Sequence, residues 1–251
     1  MNMAGHTLVI RPQPDADRDV ALLRRHDVPA VASPVTCGAA VPFRLPDARP
    51  FGGVIFTSRH AVDAMMRDPA VTTWTGKTAF VVGAATAAAA RQAGFAEIVQ
   101  GSGGGAGLVP VIRQAHGGLS APLFWPSAQD IGFDMVAELA TFDFAVIRCP
   151  VYRMDAAIGL TAAAKDRLDA GQIGAVVAMS ARSVGTLRRL VADQCPQVLL
   201  DRISLIAGSD GIARAAGGGW REILVARAPR RTRVLAIAVL RHRRDRRDMR
   251  G

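Results

Sequence analysis

Small polar residues recur in this chain directly after short apolar runs. Thr57 and Ser58 follow Val54-Ile55-Phe56, and the turn from Gly83 to Thr86 follows Phe80-Val81-Val82. Ser180 follows Val176-Val177-Ala178-Met179, and Gly208-Ser209 follow Leu205-Ile206-Ala207. Each group stands before an Ala- or Leu-rich helical stretch. Serine, threonine and glycine are ordinary helix N-caps, so part of the pattern is structural. Several helix N-termini aimed at one place also offer unpaired backbone N–H groups and positive dipole ends, which is the chemistry of anion binding. Arg11 after the first apolar run and Arg182 after Ser180 add guanidinium forks that can hold a carboxylate bidentately, although solvation is the commoner fate of an arginine. Tyr152 is the only tyrosine in the chain. Its phenol, with a reference pKa of roughly 10, is a hydrogen-bond donor at neutral pH.

Other chemistries have little support. The histidines, His6, His26, His60, His116 and His242, show no metal-ligand spacing. Cys37, Cys149 and Cys195 are odd in number and far apart, which predicts buried, reduced thiols rather than a disulfide framework or a zinc site. No basic segment followed by a long apolar stretch marks a signal peptide, and no apolar run is long enough for a membrane span. Half of the residues are hydrophobic, which excludes disorder of the whole chain. The net charge of +10 invites a nucleic-acid reading, but its distribution argues against one. Residues 227–251 hold ten Arg and two Asp, while the remaining 226 residues carry 21 basic and 19 acidic groups.

Short β-branched runs alternate with helical stretches, the pattern of an α/β protein with parallel sheets. Strands are expected at 7–10, 30–32, 53–56, 78–82, 97–99, 123–125, 144–147, 175–178, 204–207 and 222–225. Helices are expected at 15–25, 59–66, 84–93, 108–115, 132–139, 162–170, 182–192 and 209–216. An internal repeat runs through them. Residues 54–62, VIFTSRHAV, resemble 176–184, VVAMSARSV, and residues 79–98 align without a gap to 204–223. Gly83 matches Gly208, Gly94 matches Gly219 and Phe95 matches Trp220. A weaker pair relates 8–35 to 123–151, each ending in Pro-Val before chain expected to be irregular. Two related α/β halves are therefore expected, with a ligand cleft between them at the carboxyl ends of the strands.

The ordered series LVIRP, VIFTSRHAV, VVGAATAAAARQAGF, a Val-Tyr after the middle strand, VVAMSARSV and a Gly-centred final turn resembles uroporphyrinogen-III synthases over residues 7–240. The resemblance implies two similar Rossmann-like or flavodoxin-like domains with parallel sheets, joined by a two-stranded linker near 33–43 and 148–154. One domain would be 1–36 plus 154–240, the other 40–150, with 241–251 a basic tail. It implies an enzyme without metal or organic cofactor. The enzyme cyclises hydroxymethylbilane, a linear tetrapyrrole with eight carboxylates, inverting the last pyrrole ring and losing water in haem biosynthesis. Tyr152 stands where the family's activity-associated tyrosine stands, and is the expected catalytic residue; a hinge role at the domain boundary is the structural alternative. Arg11, Ser58, Thr86, Ser180, Arg182 and Ser209 are expected to bind substrate. A cytoplasmic monomer is expected, with no membrane or nucleic-acid partner.

The final turn departs from the family's Gly-Pro-x-Thr-Ala, because Gly211 holds the threonine position and Asp210 adds an acid. That departure keeps open a non-catalytic, two-lobed binding protein for an anionic small molecule. The glycine-rich stretch 101–107 contains a G-x-G-x-x-A match, but no acid follows at about 20 residues as a dinucleotide site needs, so a flexible loop is expected. Residues 232–240 are apolar enough to dock as a helix. The arginine-rich end after them is expected to be a solvated tail, or else a weak contact for nucleic acid or an acidic partner.

Overall fold

The computed structural model describes residues 5–116, 121–228 and 230–248. The chain divides into two compact units, Met1–Cys37 with Asp155–Gly251, and Gly38–Met154. In the first unit the elements are β1 (His6–Val9), α1 (Asp15–Arg25) and β2 (Ala30–Ala32). After the second unit the chain returns as α6 (Ala162–Asp169), β9 (Ile173–Ala178), α7 (Ala181–Gln194), β10 (Ser204–Ala207), α8 (Asp210–Ala216), β11 (Glu222–Val225) and α9 (Arg231–Asp248). Its sheet runs β11-β10-β9-β1-β2, and every pairing in it is parallel.

The second unit is built from β4 (Gly53–Phe56), α2 (Arg59–Met65), β5 (Thr78–Val81), α3 (Ala84–Gln92), β6 (Ile98–Gln100), α4 (Val109–His116), β7 (Leu123–Ala128) and α5 (Met135–Ala140). Two strands, β3 (Thr36–Ala40) and β8 (Val146–Ala156), begin or end beyond its boundaries. Its sheet runs β3-β8-β7-β4-β5-β6, parallel from β8 to β6. Parallel sheets need both faces covered, and each unit accordingly has one apolar cluster on each face of its sheet.

The two strand orders explain the repeat. Reading β6-β5-β4-β7-β8 against β11-β10-β9-β1-β2 pairs every strand with its sequence counterpart. The N-terminal β1-α1-β2 thus supplies what would follow β11 in an uninterrupted copy. In the same scheme α9 occupies the place of α4, the helix that follows β6. The correspondence extends to packing. A Cβ on Gly52 would lie 2.2 Å from His116 at the end of α4, and one on Gly174 would lie 3.6 Å from Arg241 on α9.

Three expectations need correction. First, the Pro-Val pairs do not precede irregular chain: Pro34-Val35 leads directly into β3, a strand at 36–40 absent from those expected. Its sequence, TCGAA, has no β-branched run, so its strand character comes from β8 beside it rather than from propensity. Similarly, Pro150-Val151 does not precede irregular chain but lies inside the eleven-residue β8. Second, the cysteines are free, but only Cys195 is buried; Cys37 is exposed and Cys149 half-buried. Burial and a hydrogen bond with Asp169 push the Cys195 thiol up to about 11.

Third, the basic end is no solvated tail. Helix α9 continues to Asp248, beyond which residues 249–251 lie outside the described residues. The buried positions Val234, Ala238, Arg241 and His242 recur at helical spacing, so the face that docks the apolar half also docks the basic half. The Arg241 side chain is 3% exposed and lies 3.0 Å from Asp245 and 3.5 Å from Glu222 on β11. Arg244 donates to Glu222 at 2.8 Å. Removing one side of such a buried pair costs about 3–5 kcal/mol. Truncation after Leu240 is therefore expected to lower Tm by roughly 6–20 °C in thermal denaturation, at about 2–4 °C per kcal/mol for a chain of this size.

His6 and His242 give the same unit a pH dependence. Burial, together with nearby Arg167 for His6 and Arg246 for His242, holds both imidazoles below the ordinary 6.5. Below that value the unfolded chain binds more protons than the folded one. Stability is then complete above pH 6.5 and lost as pH falls through the folded values. Tm is expected to decline as the pH is lowered through this window, and a His6→Gln/His242→Gln variant should flatten the decline.

Candidate active site

Parallel pairing places the turns that follow the strands along one edge of each sheet, and the candidate residues stand in those turns. In the second unit β4 ends at Phe56, and Ser58 is the N-cap of α2. Its backbone is extended and its Oγ accepts the backbone N–H of His60 at 3.2 Å. Thr57 accepts the indole N–H of Trp125 at 3.3 Å, fixing the turn to β7.

Tyr152 reaches the same edge from β8. The β7–β8 ladder pairs Ser127 with Pro150 and then Ala128 with Tyr152, so Val151 is an extra residue on β8. Proline has no N–H to give the ladder, and a bulge beside it is an ordinary accommodation. The consequence is that Val151 and Tyr152, although consecutive, both pack into one apolar cluster. Tyr152 is 8% exposed. Its ring centroid lies 5.6 Å from that of His60 at 43°, and Ser58 caps the helix that carries His60. Burial pushes the phenol above its ordinary pKa, and the nearby Ser58 hydroxyl acts in the opposite direction.

Thr86 is buried in the first turn of α3. The N-cap there is Gly83, in fully extended backbone, and it supplies no side-chain acceptor. A Cβ on Gly83 would meet no atom within 4 Å. The helix thus opens on its backbone N–H groups, which have no intrahelical partner by geometry.

In the first unit, Ser180 caps α7 without a side-chain bond, and it and Arg182 are exposed. Ser209 caps α8, its Oγ accepting the Ile212 N–H at 3.4 Å. These two turns follow the neighbouring strands β9 and β10. Asp210 is the first residue of α8, where a carboxylate suits the helix dipole. A Cβ on Gly211 would meet nothing closer than 3.8 Å, so the missing threonine has room and its absence is not steric. Arg11 is engaged within the chain, bonding Asp15 at 2.7 Å and Asp19 at 3.0 Å.

The structure thus brings Ser58 and Tyr152 together at His60 and sets Ser180 and Ser209 in adjacent turns. His60 belongs with the first pair, and sequence reasoning missed it. The available signal was its position two residues after a serine cap, but its partner is 92 residues further along and reaches it only through β8. The glycine stretch 101–107, expected to be a loop, forms turns between β6 and α4. A Cβ on Gly105 would lie 2.5 Å from Phe133, and one on Gly107 would lie 2.5 Å from the Gly103 carbonyl.

Among the described residues, no group of three or more His, Cys, Asp or Glu is placed to hold a metal ion, and no helix is long and apolar enough to cross a membrane.

Comparison with known proteins agrees with this architecture. The crystal structure of uroporphyrinogen-III synthetase from Helicobacter pylori 26695 is similar with a TM-score of 0.63 and 14% identity, over 94% of this chain and 98% of that one. A mutant uroporphyrinogen III synthase from the extremely thermophilic bacterium Thermus thermophilus is similar with a TM-score of 0.55 and 15% identity, over 96% and 99%. At such identities the likeness speaks for the fold. No curated protein sequence matches. The family model for uroporphyrinogen-III synthase HemD matches residues 17–236, most of the chain. The chain therefore belongs to the uroporphyrinogen-III synthase family, cyclising lyases that act on hydroxymethylbilane in haem biosynthesis.

Proposed function

We propose that this chain closes hydroxymethylbilane to uroporphyrinogen III with Tyr152 as the proton donor to the departing hydroxyl. The observation that carries the assignment is the buried Tyr152, packed against His60 in the helix that Ser58 caps, at the carboxyl edge of the sheet. In the family reaction the terminal hydroxyl leaves as water and a cationic azafulvene remains. The substituted carbon of the last ring attacks it, the spiro intermediate fragments, and the ring recloses in the inverted sense with release of a proton. Water is the only co-product, and the proton lent by Tyr152 is returned from the substrate.

Each residue has a separate task. His60 packs against the Tyr152 ring, and Ser58 accepts the His60 N–H, so the phenol is presented to substrate from a fixed position. Thr86 and the open end of α3, with Ser180, Arg182 and Ser209, receive substrate carboxylates; helix N-termini suit this work because they add positive potential without net charge. Arg11 presents its remaining N–H donors from a fixed position. Folding a flexible polyanion so that the substituted carbon attacks is a positioning problem, and positioning supplies a large part of the rate in such reactions. Retention of a held tyrosine favours turnover over a binding role without chemistry. The reading includes a cytoplasmic monomer without a nucleic-acid partner, supported by the engagement of Arg231, Arg241 and Arg244 in pairs within the chain.

The decisive assay supplies hydroxymethylbilane and reads the isomer of the macrocycle. The type III isomer is expected; only the spontaneous type I isomer would end the enzyme reading. Tyr152→Phe keeps the ring and removes the proton. It is expected to lower kcat about a hundredfold with little change in KM, the lower end of general-acid effects. Because burial holds the phenol above its ordinary 10, the wild-type kcat should show no alkaline limb from this group up to that pH.

A further inference from the structure

Two guanidinium groups converge on one buried carboxylate in the first unit. The Asp19 side chain, on α1, is 1% exposed. Arg11 donates to one of its oxygens at 3.0 Å, and Arg231 donates from Nε to the other. Arg11 stands just beyond β1, and Arg231 opens α9 beyond β11, so both lie at the carboxyl edge of the sheet.

A buried carboxylate needs a partner, because its desolvation otherwise costs several kcal/mol. Arg11, at 3.0 Å, already supplies that charge. Arg231 adds a second cation, engaged through Nε alone. Among the described residues its Nη1 and Nη2 make no hydrogen bond or ion pair, and its side chain is 40% exposed. A guanidinium anchored at Nε has already lost much of its rotamer freedom. Its outer edge is a pair of parallel N–H donors at the spacing of a carboxylate's two oxygens.

We propose that Arg231 is a receptor for one carboxylate of the substrate and that Asp19 is its positioning residue, an inference that rests on the tetrapyrrole reading above. Arg231 contacts the substrate equally in the ground and transition states, so its loss appears in KM rather than in kcat.

The test compares wild type, Arg231→Gln and Arg231→Lys for KM, kcat and Tm in the isomer-resolved assay. Arg231→Gln is expected to raise KM about tenfold or more, as loss of charge-assisted hydrogen bonds does, with a smaller change in kcat. Arg231→Lys still neutralises Asp19, so it should recover Tm; it lacks the planar fork, so KM should stay high. Wild-type KM in Arg231→Gln, or recovery of KM together with Tm in Arg231→Lys, overturns the assignment while leaving the function reading intact. A wild-type chain that forms only the type I isomer overturns both.

Discussion

Parallel pairing of the strands is the constraint from which the rest follows. A parallel strand cannot return through a tight turn, so each must be followed by a crossover, here mostly a helix. All the strand-to-helix turns of a sheet then fall on one edge, and the helix N-termini stand together there. Ser58 and Gly83 in one sheet, and Ser180 and Ser209 in the other, are caps at that edge of their own sheet because of the direction in which its ladders run. Their chemistry is inherited from topology: a row of backbone N–H groups suits a polycarboxylate whether or not the chain carries excess charge.

Much of this was legible in the sequence where local signals and tertiary demands coincide. β4, β10 and β11 are short apolar runs bounded by glycine or a charged residue, and their limits were read to the residue. The repeat carried more, since its offsets foreshadow the matched strand orders of the two sheets. β3 was not legible: its five residues have no strand propensity, and the strand beside it lies more than a hundred residues away. The last helix was misjudged because composition outweighed spacing. Six arginines after Leu240 read as a solvated run, although Arg241, His242 and Asp245 continue the helical face of Val234 and Ala238.

The site was half legible for a related reason. Residues in turns could be chosen from their types, and Tyr152 from its rarity and its resemblance. What holds them could not. The partner of Tyr152 is set by one extra residue in β8 beside a proline, and Arg231 meets Asp19 on α1 only because α9 packs beside that helix. Each of these two contacts joins segments distant in the chain. Sequence gives the chemical type of a functional group more readily than its anchoring.

The split origin of the first unit also bears on synthesis at the ribosome. The second unit is one continuous stretch, 38–154, and is complete when its last strand emerges. The first unit has delivered only β1, α1 and β2 by then. β1 pairs with β2 on one side and with β9 on the other, and β9 begins at residue 173. The inner strand of that sheet therefore spends translation of more than a hundred residues with one ladder edge open, while an intact parallel sheet forms in the meantime. Domains usually fold as units and from the N-terminus first. Here the order of completion is reversed: the strands of the middle unit are all available before those of the unit that holds the N-terminus, and the edge of β1 waits for β9 in that interval.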